Sequence, residues 1–320
     1  MSASTSTSTS TSTSTSTSTE TSRQVVKAVY ANEVAEGAGA RVRRSIGSPQ
    51  LRNLSPFLML DNFTVQKGAG FPDHPHRGQS TMTYLLSGMF QHEDFLGNRG
   101  LLEPGDVQWM EAGKGIMHAE MPYFDPDPKK AVPAYGLQLW IDLPKEKKFM
   151  EPNYQEKKAK DITTIHPKDG VEITVISGIS HGAEGFVRPV AGCWYLDFKL
   201  QKSGASVFQA LPEGWTAFVY IITGRLQIGP RPAIHEKFNT LVLSAESGEN
   251  GVTLTRPESA TDEETRFVLV AGQPLDQNVV QYGPFVVNTQ RQAMEAVTDF
   301  RMGRNGFERA VGWESEIGKV

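Results

Sequence analysis

The hydrophobic positions of this chain fall into short runs, not long stripes. Phe57–Leu60, Thr81–Leu86, Val107–Met110, Leu137–Ile141 and Ile173–Ile176 are of strand length, and so are Trp194–Leu200, Ala217–Ile222, Thr240–Leu243 and Phe267–Val270. Glycine and proline punctuate the stretches between them. Runs of this length bounded by turn signals predict an all-β chain, a sandwich or a barrel. One segment near the end follows another period. Thr289-x-x-Gln292 has the form of a capping box, and Ala293, Val297 and Phe300 follow at helical spacing. A short amphipathic C-terminal helix is expected there. The longest apolar runs, such as Phe267–Ala271, are too short to span a bilayer.

The pattern also divides the chain. The Lys- and Glu-rich stretch Pro144–Lys160 carries no strand pattern and separates halves of similar length, as a linker with room for a short helix would. Tyr84-Leu-Leu-Ser-Gly88 in the first half is echoed by Tyr220-Ile-Ile-Thr-Gly224 in the second. Together these features predict tandem β domains over residues 25–150 and 151–289, followed by a helix and tail over 290–320. Before them, Ser4–Thr19 is an unbroken Ser/Thr alternation. Such a tract cannot bury enough apolar surface to offset its ordering entropy, so residues 1–24 are expected to be a disordered tail.

Composition changes this picture little. Hydrophobic residues make up 38% and charged residues 21%, ordinary for a soluble globular protein, and the net charge of −4 gives no bulk electrostatic reason for nucleic-acid binding. The single cysteine, Cys193, excludes an intrachain disulfide and suits a reducing compartment. Its strand-like surroundings predict a buried, inert thiol.

Candidate chemistry is concentrated in the first half. In "FPDHPHRG", His74 and His76 are two apart, so on a strand they share a face. "AGKGIMHAEMP" supplies His118 and Glu120 at the same spacing, after a glycine-rich turn. Two strands presenting such pairs to one barrel interior would assemble a site of three imidazoles and one carboxylate. Iron, nickel, copper, manganese and zinc all suit that donor set. His92, on the strand after the Gly88 turn, could line the cavity but is read first as a solvated strand residue, and His166, His181 and His235, without partners two positions away, as surface residues. Aligned without gaps on the echo, His74 and His76 fall opposite Ala210 and Pro212, so the second half is expected to be metal-free.

The order of these motifs, an HxH pair followed by Pro104-Gly105-Asp106 and a histidine after a glycine turn, resembles the cupin superfamily. "FPDHPHRG", "HEDFLGNRG", "PGDVQWMEAGKGIMHAEMP", "YGLQLWIDLP" and "GQPLDQNVVQYGPFVVNT" resemble the pirin family in particular, as do "VRRSIGSPQL" and "NGFERAVGWESEIG" near the two ends. The resemblance implies two tandem cupin, jelly-roll-like barrels, with one non-heme iron(II) held in the first by His74, His76, His118 and Glu120. It implies a quercetin 2,3-dioxygenase-like activity, with a flavonol or other phenolic substrate, dioxygen, and Glu120 as the base. The alternative it offers is an iron-dependent, redox-sensitive transcription co-regulator whose partners are transcription factors. Arg41, Arg43 and Arg44 would then form part of the partner surface, or else a solvated edge-strand cluster. Cytoplasm and nucleus are the implied compartments, and a monomer free of membrane and of direct nucleic-acid contact the implied state. One position departs from the family pattern. Ser80 stands where cupins and most pirin-like chains carry glutamate, which puts any help from that carboxylate in doubt.

Overall fold

In the computed structural model, which describes residues 19–127, 131–231, 233–261 and 264–319, every predicted run lies within a strand. Two seven-stranded antiparallel sheets dominate, one from each half, and each is accompanied by a four-stranded sheet. The large sheets pack face to face. One core joins Met82, Tyr84, Trp109 and Leu139 of the first sheet to Tyr195, Phe218, Tyr220 and Val268 of the second. Their central strands are therefore buried on both faces, which is why runs such as Thr81–Leu86 read as nearly continuous rather than alternating.

The two halves differ on the inside. Between its large and small sheets the second half is filled with apolar side chains, among them Leu196, Phe198, Val207, Leu254 and Phe267. The first half has an apolar end, with Phe63, Leu85, Phe90 and Leu102, and a polar end lined by the candidate site. Cys193 is buried, and burial pushes its thiol well above the usual range, as an inert cysteine requires.

The echo marks equivalent turns. Gly88 and Gly224 have φ of 73° and 72°. A Cβ at either would lie 2.4 Å from Pro133 O or 2.6 Å from Glu264 O, so both turns require glycine. The C-terminal helix spans Gln290–Met302, with Thr289 Oγ1 accepting the Gln292 N–H at 3.2 Å and Gly303 ending it in the left-handed conformation.

Pairing crosses the expected division near residue 150 in both directions. Val25–Tyr30 pairs with Asn239–Leu243 in the large sheet of the second half. Residues 1–18 of the expected tail lie outside the described residues, but Thr21 and Arg23 already bond to this half. The Thr21 N–H donates to Asn250 Oδ1 at 2.9 Å, and the buried Arg23 guanidinium donates to the carbonyls of Trp215 and Pro212 at 2.6 and 2.7 Å. Within the stretch read as a linker, Asn153–Lys157 is a strand of the first half, paired with Val107–Glu111. Its polar pattern disguised it: it is a half-exposed edge strand, of which Tyr154 alone joins an apolar cluster. The helix, too, returns to the first half: buried Phe307 packs with Met110 and Ile116, and Asp299 pairs with Arg77. No helix among the described residues is long and apolar enough to cross a membrane.

Candidate metal centre

The strands Phe71–His76 and Ile116–Tyr123 run antiparallel in the small sheet of the first half. His118 lies opposite His74, and His76, two residues along, emerges on the same face. The three rings form a triangle with centroids 4.4 to 5.0 Å apart. One ring nitrogen from each can be chosen so that all lie within 4.8 Å of one another. A register shift after His118 brings Glu120 opposite Phe71, and its Oε2 lies 4.0 Å from His118 Nε2. Bulges of this kind re-aim a side chain next to functional sites.

Burial favours the neutral ring at His76 and His118. Burial, and then the charge of His74, hold His76 well below the usual histidine range. Burial and then the charges of His74, His76 and His92 do the same for His118. His74 Nδ1 lies 2.8 Å from Pro72 O, so the proton belongs on Nδ1 and Nε2 carries the free lone pair. The Gln79 amide nitrogen lies 2.9 Å from His76 Nδ1, while Gln79 Oε1 is buried without a partner. Turned over, the amide accepts the ring's Nδ1–H through Oε1 and leaves the His76 Nε2 lone pair free, with the amide NH2 then in the unpaired place. Both ring nitrogens of His118 are buried without a hydrogen-bond partner among the described residues. Unpaired buried nitrogens are costly, and a cation shared by the three rings would satisfy one of the two. The residues fit a transition metal.

Glu120 is held from the large sheet. Thr83 Oγ1 donates to its Oε1 at 3.0 Å, and Gln138 Nε2 donates to its Oε2 at 3.2 Å. The centre opens onto a cavity of about 1080 Å³, with His74, His76, Glu120, Gln138 and Trp140 in its wall. Trp140 stands edge-on to His76, with centroids 5.0 Å apart. Gln79, Thr83, Gln138 and Trp140 escaped the sequence reading, because they lie on strands whose paired positions carry no recognisable spacing. Only strand parity relative to Met82 and Tyr84 could have assigned Gln79 and Thr83 to the polar face.

Ser80 has the opposite parity and points away from the centre. It donates a short hydrogen bond to Glu111, whose other oxygen accepts the Val190 N–H at 3.2 Å. A side chain at position 80 therefore serves the seam between the two large sheets. His92, read as solvated, is buried. It lies opposite Glu120 in the ladder, stacks on Tyr154 and bonds Glu156 Oε2 at 3.0 Å. Its partners come from the strand hidden in the presumed linker. His166 and His181 are exposed, and His235 is half-buried. Arg41 and Arg43 both pair with Glu33 of the neighbouring strand, and Arg44 with Asp61 and Glu36. The cluster is neutralised within its own sheet, as a solvated edge would be.

Comparisons with known proteins agree with this architecture. The pirin family model matches residues 39–141, and the model of the pirin C-terminal cupin domain matches residues 195–306. Pirin of Homo sapiens is 47% identical over 300 residues, covering 93% of this chain and 99% of that protein. A pirin-like protein of Solanum lycopersicum is 48% identical over 299 residues, with 92% and 97% covered. Among solved structures, a quercetin 2,3-dioxygenase from Acinetobacter baumannii superposes with a TM-score of 0.78 at 31% identity, covering 88% of this chain and 98% of that one.

Proposed function

Because the chain belongs to the pirin family, we propose that it is a metal-dependent oxygenase with quercetin 2,3-dioxygenase-like activity, cleaving a flavonol or another enol or phenol. The metal, one per chain and iron(II) by preference, is assigned to His74, His76, His118 and Glu120. A single observation carries this reading: three imidazoles converge at one point, and two of them, His74 and His76, stand in the wall of a cavity of about 1080 Å³. That volume is at the upper end of the ~300–1,000 Å³ typical of small-molecule pockets, so a three-ring aromatic substrate is accommodated. The superposition on a quercetin 2,3-dioxygenase supports the substrate class.

When bound, the metal supplies Lewis acidity that lowers the pKa of a coordinated enol or phenol. The chain does the rest. Pro72 O and the Gln79 amide fix the orientation of His74 and His76. Glu120 Oε2, the oxygen nearer the imidazoles, accepts the substrate's hydroxyl proton. Gln138 and Thr83 hold the carboxylate so that this oxygen stays aimed at the centre. Trp140, Met59 and Leu58 give the cavity apolar walls, which orient a flat ring and keep water from it.

The test is anaerobic loading with iron(II), followed by an oxygen-uptake screen against flavonols, catechols and other enols. Iron-dependent uptake with at least one of them, lost in His76→Ala, is expected. No uptake with any of them overturns the oxygenase reading.

A further inference from the structure

The lining of the same cavity carries groups that the chemistry above does not use. The turn from Ser45 to Leu54 forms one rim and is internally closed. The N–H of Gly47 bonds Leu51 O, the N–H of Leu51 bonds Ser48 O, and Ser48 Oγ donates to Ser45 O. Lys27 Nζ ties the turn to the second half by donating to Gln50 O at 2.6 Å. The backbone is thus committed, yet the side chains of Arg52 and Asn53 line the cavity, exposed and without a partner among the described residues.

The other charged groups in the lining are engaged. Arg44 is paired with Asp61 and Glu36, Asp73 Oδ2 accepts the Ser315 N–H at 3.1 Å, and Glu120 is held by Thr83 and Gln138. Arg52 is the remaining guanidinium of the wall, and it is uncommitted. A guanidinium with a neighbouring amide, presented by a fixed turn, is a receptor for an oxyanion. The cavity also has volume to spare beyond a bare three-ring ligand. Resting on the proposed function, we infer that the substrate is an aromatic enol or phenol bearing an anionic substituent distinct from the metal-binding oxygens. Arg52 and Asn53 receive that substituent, and Arg52 is a specificity-determining residue.

Binding can be measured without turnover. Quercetin, its 3′-sulfate and its 3′-glucuronide would be titrated anaerobically into the iron-loaded protein, with tryptophan quenching as the readout. Wild type should bind at least one anionic conjugate about tenfold more tightly than quercetin, a charge-assisted contact at a part-exposed site. The preference should shrink as salt rises from about 0.05 M to about 0.5 M. Arg52→Gln should abolish it while quercetin affinity stays within about twofold. The sulfate and glucuronide arms separate a tetrahedral oxyanion from a carboxylate. Equal binding of all three ligands by wild type overturns the inference, as does a preference that survives in Arg52→Gln or ignores salt. The outcomes are separable from those of the oxygenase test. Anion preference with no oxygen uptake would leave Arg52 in place and remove the oxygenase, and uptake with quercetin but no preference would do the reverse.

Discussion

Arg77 and Asp299 meet in a buried ion pair of 2.9 Å across 222 residues of sequence. Arg77 directly follows His76, and its guanidinium also donates to Lys114 O and Asn305 O and lies over the Phe307 ring. The C-terminal helix is thereby fastened to the strand that carries two of the three imidazoles. Asp299→Ala leaves that guanidinium buried without its carboxylate, and breaking a buried pair in this way costs about 3–5 kcal/mol. Urea denaturation of the two proteins measures it. Burial alone would raise the Asp299 carboxyl, but hydrogen bonds from Arg77, Asn305 and Arg304 outweigh it and the net shift is downward. A depressed carboxylate contributes stability above its unfolded value of about 3.9 and loses it as pH falls through the folded one. The Asp299→Ala deficit should therefore be full at neutral pH and narrow below about pH 4.

Metal content should rank three proteins. Wild type should hold close to one transition metal per chain. Gln79→Ala, which frees the ring it orients, should lose about 10–100-fold in affinity. His118→Ala removes a donor outright and should bind more weakly still. Elemental analysis after dialysis against graded chelator gives the order, and Gln79→Ala matching wild type would refute the orienting role.

Glu120→Gln keeps volume and one oxygen but removes most of the basicity. Loaded with iron, it should bind a flavonol yet consume oxygen at least ~100-fold more slowly, the scale of losing a general base. Wild-type uptake by this variant would refute the assignment of Glu120 as base.

Glu111 and Ser80 should govern stability without touching the metal. Burial raises the Glu111 carboxyl, and the hydrogen bonds from Ser80 and Val190 offset that only in part. A raised carboxyl contributes stability at low pH that is lost as pH rises through its folded value. Glu111→Gln removes the charge, keeps one oxygen for the Val190 N–H and reverses the Ser80 bond, so it should be more stable than wild type at pH 7–8, with the gain fading toward about pH 4. Ser80→Ala should cost about 1–3 kcal/mol, since it leaves a buried carboxylate oxygen without its donor, and metal content should be unchanged.

Arg23 should act as the anchor of the first strand. Arg23→Ala deletes charge-assisted hydrogen bonds to Trp215 O and Pro212 O, and such bonds are worth about 1.5–3 kcal/mol each. A fall in stability of at least about 2 kcal/mol is expected by urea denaturation. A change below about 0.5 kcal/mol, usual for a surface site, would show that the segment is not held.

What the sequence determined on its own was whatever short-range geometry encodes. A strand repeats every two residues, so the spacing of His74 with His76 and of His118 with Glu120 already placed each pair on one face. Glycine's freedom at positive φ made Gly88 and Gly224 legible as equivalent turns, and the side chain of Thr289 announced the helix it caps. Tertiary structure decided whatever depends on which face looks inward and which strand lies next door. Ser80 points to the seam and Gln79 to the imidazole cluster because sheet packing, not composition, fixed the parity of their strand. Asn153–Lys157 reads as polar linker yet is a strand, since it lies at the edge of its sheet, where Glu156 bonds His92 and Tyr154 alone packs on an apolar cluster. Val25–Tyr30 joins the far half, and Asp299 reaches back to Arg77, through contacts separated by some two hundred residues. Such pairings are set by burial and complementary charge once the sheets assemble, and no local pattern carries them.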